Sequence, residues 1–325
     1  MIDGAGITRR PGIFRRALGL AFRTAWRVSP WAVRIAIVLM AIHGVANIFV
    51  DRADAAAARG ASGILLGAEE RDFGPADAKT AVLLVHGFLG GGSNFGALPE
   101  ALATQGVRVR VMRLPGHGDS PRDLIPIPPA RYLQSVLDEI RKLKEHHERV
   151  VIGGFSMGGT LCTLAAGIEE VDGLVLAAPF FRIPHRWYYG FRVESWSALT
   201  SPFLRWSYKG NSFVCVKRRE AVPEVLSYRW VPAAGSLALF NLAKRARDPE
   251  LLGEIECPVL WIHSPDDRAS SFADAEKALA ALGSKTVERM PLANSDHHVF
   301  LDYEREEVVA RIARFIGEIG VAGPS

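Results

Sequence analysis

Three short stretches of this 325-residue sequence carry residue types suited to nucleophilic chemistry. The first is Gly154-Phe155-Ser156-Met157-Gly158, a G-x-S-x-G set between the aliphatic run Val150–Phe155 and a helical pattern. A serine on a tight strand-to-helix turn projects its hydroxyl, and glycines two residues to either side remove Cβ atoms that would block neighbouring backbone. Amides opening the following helix then point to where an oxyanion develops. The second stretch is His86-Gly87-Phe88-Leu89-Gly90-Gly91-Gly92, after the run Ala81–Val85. It contains no clean G-x-G-x-x-G, and Val107–Leu114 offers no acid for a ribose. An oxyanion loop therefore fits better than a dinucleotide loop, with the backbone amides of Phe88 and Met157 as the two donors.

A serine nucleophile needs a general base, and the base needs a carboxylate to orient it. The run Pro258–His263 ends in Ser264-Pro265-Asp266-Asp267, and Lys285–Met290 leads to Asn294-Ser295-Asp296-His297-His298. Serine, then acid, then histidine is the chain order of this strand–turn–helix arrangement. His86, and His117 in Pro115-Gly116-His117-Gly118, read as residues that brace loops. Cys162, six residues beyond Ser156, reads as packing. Three cysteines without a C-x-x-C exclude a disulfide scaffold and a cysteine-built zinc site.

The elements that must position these residues alternate regularly. Strands are predicted at Ala81–Val85, Val107–Met112, Val150–Phe155, Gly173–Ala178, Pro258–His263 and Lys285–Met290. Helices are predicted near Gly96–Thr104, Ala130–His147, Met157–Glu169, Phe272–Leu282 and Tyr303–Ile319. Such alternation implies an α/β domain with a mainly parallel sheet covered on both faces. Residues 180–247 interrupt it with 14 of the 29 aromatics, several prolines and no convincing strand, and read as an insertion.

With these motifs in place, the chain resembles the α/β-hydrolase superfamily, and within it the bacterial carboxylesterase and monoacylglycerol-lipase group. Gly67-Ala68-Glu69, Val82 through Gly90, and Leu114-Pro115-Gly116-His117-Gly118 carry the resemblance, together with the serine turn. It spans about residues 63–320. The group's H-G-x-x-D frame falls on His263-Ser264-Pro265-Asp266-Asp267, with serine for glycine at 264, and selects Asp267. Its S-x-H-x-x-x-L-D frame selects His297. The resemblance thus implies a catalytic triad Ser156, Asp267, His297, acyl transfer with no metal or organic cofactor, and a cap at residues 180–247. It also implies a core made of 63–179 and 248–320.

Ahead of that core, Trp31–Val50 is a mostly aliphatic twenty-residue segment, about one hydrocarbon thickness as a helix. Six arginines precede it within the basic flank 1–30. The positive-inside rule then leaves the N-terminus cytoplasmic and exports the catalytic domain, with the segment as a retained signal anchor. Ala53-Asp54-Ala55 resembles a cleavage site, which keeps a cleaved signal peptide open. Gly12–Arg27 has the look of an interfacial helix, and 51–62 that of a linker.

The formal net charge of +4 averages unlike pieces. Residues 1–50 carry +6, residues 180–247 carry +9, and the remainder is acidic. No nucleic-acid motif accompanies the basic insertion. Its aromatics suit either a core of its own or an acyl chain, its cations an anionic headgroup or bilayer surface. The expected function is hydrolysis of lysophospholipid, monoacylglycerol or similar acyl esters. The same triad also serves acyltransferases and thioesterases, and a different class altogether is a membrane-tethered binding module on this fold.

Overall fold

The computed structural model describes residues 30–210 and 214–321, so the basic flank and the interfacial helix expected at Gly12–Arg27 lie outside the described residues. The chain divides into two compact units, Met1–Ile48 and Phe49–Ser325. Of the first, helix α1 (Pro30–Ala55) is the described part, and it continues into the second unit. Its segment from Trp31 is long and apolar enough to cross a membrane, with a mean hydropathy of 2.1.

The second unit is built on a seven-stranded sheet in the order β1-β3-β2-β4-β5-β8-β9. The strands are β1 (Arg71–Phe73), β2 (Thr80–Val85), β3 (Arg108–Val111), β4 (Arg149–Phe155), β5 (Gly173–Ala177), β8 (Val259–His263) and β9 (Val287–Pro291). All neighbours run parallel except β1, which pairs antiparallel with β3. The helices between them are α2 (Leu98–Ala103), α3 (Pro129–Lys144), α4 (Met157–Ala166), α8 (Phe272–Leu279) and α9 (Arg305–Val321).

Side-chain alternation explains the layering. Leu83 and Val85 face one core with residues of α3, α4 and α8, while Val82 and Leu84 face another with residues of α2 and α9. Both faces are therefore buried, and the central strands β2, β4, β5 and β8 read as apolar runs rather than alternating ones. The chain passes from β2 to β3 on one side of β2 and then to β4 on the other. A crevice opens at such a reversal, beyond the C-terminal ends of the strands. Pairing of Val85 with Gly154 aligns those two ends, so the loops after β2 and β4 meet there.

Each strand expected from the sequence lies within two residues of an observed one. Three strands and three helices were not anticipated, and one boundary moves. Short β1 has no apolar signature. Within the insertion, β6 (Trp206–Tyr208) and β7 (Trp230–Pro232) form an antiparallel pair, where no strand was expected. Three residues are too few to show a period, and 21 residues separate the partners, so no hairpin turn signals them. The insertion also contains α5 (Val193–Thr200), α6 (Ala233–Arg245) and α7 (Pro249–Gly253) follows it. Ala238, Leu239, Leu242 and Ala243 of α6 belong to the main core, so the expected boundary at 247 falls beyond a helix that packs into that core.

The expected linker is likewise structured. Helix α1 runs past Val50 to Ala55 because its polar end is satisfied on the body: Asp51 pairs with Arg122, and Asp54 with Arg59 at 2.6 Å. Arg59 also donates to the carbonyls of Gly63 and Asp119.

The insertion is tied to the sheet's C-terminal loops by one buried carboxylate. Asp302 accepts from the amides of Lys217 and Arg218 in the insertion and from those of Asp296 and Tyr303, at 2.8–3.0 Å. Asp302→Ala leaves these amides without their acceptor and should cost on the order of 3 kcal/mol in urea unfolding. Hydrogen exchange should show the amides of Lys217 and Arg218 losing protection first.

Candidate active site

The turn at Ser156 follows directly from strand β4 and helix α4. Its amide donates to the Ala177 carbonyl, and its carbonyl accepts from Phe180 and Thr160. These bonds hold Ser156 at φ 55°, a left-handed conformation that L-residues rarely adopt. The flanking glycines are required by contact. A Cβ on Gly158 would lie 1.8 Å from the Val85 carbonyl oxygen, and one on Gly154 would lie 2.2 Å from that of Gly158.

Around this turn the structure brings together the residues named from sequence. His297 Nε2 lies 2.9 Å from Ser156 Oγ, and His297 Nδ1 lies 2.8 Å from Asp267 Oδ2. All three side chains are nearly buried. Asp267 follows β8, and its other oxygen accepts from the amides of Ala269 and Ser270, each at 2.7 Å. Burial pushes the Asp267 carboxyl up, but the charge of His297 and hydrogen bonds from His263 and His297 outweigh it and hold the group well below the usual carboxylate range. Asp267 is thus an ionised acceptor for an Nδ1–H donor, leaving Nε2 free to accept the serine proton. Asp266 points away and pairs with Lys217 at 2.8 Å.

The amides of Phe88 and Met157 donate to no other group among the described residues. Met157 opens α4, whose N-terminal end carries partial positive charge. The loop holding Phe88 is braced by the two histidines assigned that role from sequence. The Leu114 amide donates to His86 Nε2, and the His86 Nδ1–H donates to the Gly87 carbonyl. The Leu89 amide donates to His117 Nε2, and the His117 Nδ1–H donates to the Pro115 carbonyl. Such an arrangement can activate a hydroxyl and stabilise the oxyanion of a tetrahedral adduct.

A family model described as alpha/beta hydrolase matches residues 82–311. The chain belongs to the alpha/beta hydrolase family. A thermostable monoacylglycerol lipase of Bacillus sp. (strain H-257) is 28% identical to this hydrolase over 78% of the chain and 96% of that protein. A carboxylesterase of Bacillus subtilis (strain 168) is 31% identical over 74% of the chain and 93% of its own length. Among solved structures, one from work on the metagenome-derived lipolytic enzymes LipS and LipT superposes with a TM-score of 0.70 at 26% identity, covering 78% of this chain and 99% of that one.

Two residues of this hydrolase's site were given no role in the sequence reading, although His263 heads the frame that selects Asp267. His263 is fully buried at the end of β8, and its Nε2 lies 3.0 Å from the same Asp267 oxygen that faces His297. Only its spacing four residues before Asp267 hinted at this. Arg268 pairs with the buried Asp296 at 2.5 Å and so anchors the residue preceding His297.

Burial lowers His86 to about 4 and His117 to about 3, so both are neutral when folded and bind protons more readily when unfolded. Their stabilisation is complete above the ordinary histidine value near 6.5 and is lost as pH falls from there, towards about 4 for His86 and about 3 for His117. Urea midpoints should therefore decline between pH 7 and pH 5, each histidine contributing up to about 1.4 kcal/mol per pH unit. A flat profile over that range would contradict the bracing role.

Proposed function

We propose that this chain is a serine hydrolase of carboxylic esters, acting on lysophospholipid, monoacylglycerol or similar acyl esters through an acyl-enzyme. The observation that carries the reading is the single imidazole bridging Ser156 Oγ and the Asp267 carboxylate at 2.9 and 2.8 Å. Ser156 Oγ attacks the ester carbonyl while His297 Nε2 takes its proton. The amides of Phe88 and Met157 hold the oxyanion, and Asp267 stabilises the imidazolium that forms. His297 then returns the proton to the departing alcohol, leaving an acyl ester on Ser156. Water, activated by the same nitrogen, releases the carboxylic acid and restores the serine. Two relatives bearing lipase and esterase names lend the reading further support.

The membrane part of the proposal rests on composition. Residues 31–50 are the anchor, with the N-terminus cytoplasmic and the catalytic unit exported. The inserted segment from residue 180 is the cap through which lipid reaches the serine. Trp187, Tyr188, Phe191, Leu199 and Phe203 of that segment are more than half exposed, beside Arg186 and Arg192. Aromatic side chains with neighbouring cations suit a lipid headgroup layer.

Ser156→Ala should reduce ester turnover by at least three orders of magnitude while leaving the urea midpoint near that of the parent. Substantial residual hydrolysis would overturn the assignment. Full-length protein should float with liposomes, and protein lacking residues 1–50 should float far less. Equal flotation of the two would overturn the anchor.

A further inference from the structure

Strand β8 ends on a histidine whose ring braces no loop. His263 is its last residue, and just beyond it the Asp267 amide donates back to the Ser264 carbonyl at 3.1 Å, turning the chain over the strand's end. His263 Nε2 and Asp267 Oδ2 meet there at 3.0 Å. This is the ring's one hydrogen bond among the described residues, for its buried Nδ1 has no partner. Trp261 and Phe272 lie against it, with ring centroids 5.7 and 5.5 Å away. His86 and His117 engage backbone groups with both ring nitrogens. His263 instead leaves one nitrogen unsatisfied in an apolar setting, which costs stability, and commits the other to Asp267. An ionised carboxylate only accepts, so Nε2 carries the hydrogen.

The Asp267 carboxylate is thereby held at both oxygens. Oδ1 accepts from the amides of Ala269 and Ser270, each at 2.7 Å. Oδ2 accepts from His297 Nδ1 at 2.8 Å and from His263 Nε2. A carboxylate offers about four lone-pair sites, and all are taken. Held by the two amides alone, the group could pivot about Oδ1, and Oδ2 would follow His297 wherever that ring moved. His263 stands on an interior strand of the sheet, between β5 and β9, so its donor fixes Oδ2 relative to the fold.

We propose that His263 is a positioning residue for ester hydrolysis: its Nε2–H locks the second oxygen of Asp267, so that His297 presents Nε2 to Ser156 in the orientation that takes the proton. The role rests on the reading of Ser156 as nucleophile. Its benefit falls on the chemical step, where a small misplacement of the base costs rate, and not on ester binding.

The test measures kcat and KM for p-nitrophenyl butyrate in the full-length chain, with urea midpoints as the control for folding. A glutamine amide nitrogen lies as many bonds from Cα as His263 Nε2, whereas that of asparagine falls one bond short. His263→Leu and His263→Asn should each lower kcat by about 10- to 100-fold with KM within about twofold, and His263→Gln should recover most of that loss. In an Asp267→Ala background, His263→Leu should change kcat by less than about twofold, because no carboxylate remains to hold. A parent-like kcat in His263→Leu, or a loss confined to KM, overturns the role. So does a His263→Gln as slow as His263→Asn, a comparison that stands even if the leucine variant fails to fold, or an undiminished loss in the Asp267→Ala background. These results leave the serine-hydrolase reading standing. Parent protein that cleaves no ester, and whose Ser156 takes up no fluorophosphonate, removes that reading and the role of His263 with it.

Discussion

Ser156 is held where its backbone would not stay unaided. A non-glycine residue at φ 55° costs on the order of 1–3 kcal/mol, and the surrounding contacts must offset it. They do so by fixing both ends of the peptide: its amide to β5, its carbonyl to Phe180 and to the first turn of α4. The same geometry aims the hydroxyl at His297 and opens α4 with an uncommitted amide at Met157. Everything else at the site depends on that turn. Without it, the order β2, β4, β5 would still build a sheet, but its crevice would hold no projecting hydroxyl.

Around the turn, the histidines divide by charge environment rather than by sequence pattern. His86 and His117 are buried among backbone groups and are kept neutral, where they serve as loop braces. His297 instead faces the Asp267 carboxylate at 2.8 Å. His263 shares the same oxygen of that carboxylate. Asp302 performs a different task with the same chemistry, gathering four backbone amides that tie the inserted segment to the His297 loop.

Much of this was legible in the sequence because it depends on local rules. A serine flanked by glycines after an aliphatic run can be read directly, and strands buried on both faces announce themselves as continuous apolar stretches. The choice of Asp267 over Asp266 came from a family frame. The structure gives a physical counterpart, one carboxylate turned to His297 and the other to Lys217. What was not legible is long-range. The β6–β7 pair joins segments 21 residues apart, His263 and Asp302 act through partners brought near only by folding, and α1 outlasts its apolar run because Arg122 receives Asp51. The strand pair and the helix end leave no period in the chain, and the frames that contain His263 and Asp302 do not name the partners these residues meet.

The central claim is that one serine, made nucleophilic by one histidine, carries the chemistry. Reaction with a fluorophosphonate, followed by intact mass and peptide mapping, tests it most directly. The expected result is a single adduct per chain on Ser156, formed far more slowly in His297→Gln. No adduct on folded protein, or an adduct at another residue, would contradict it.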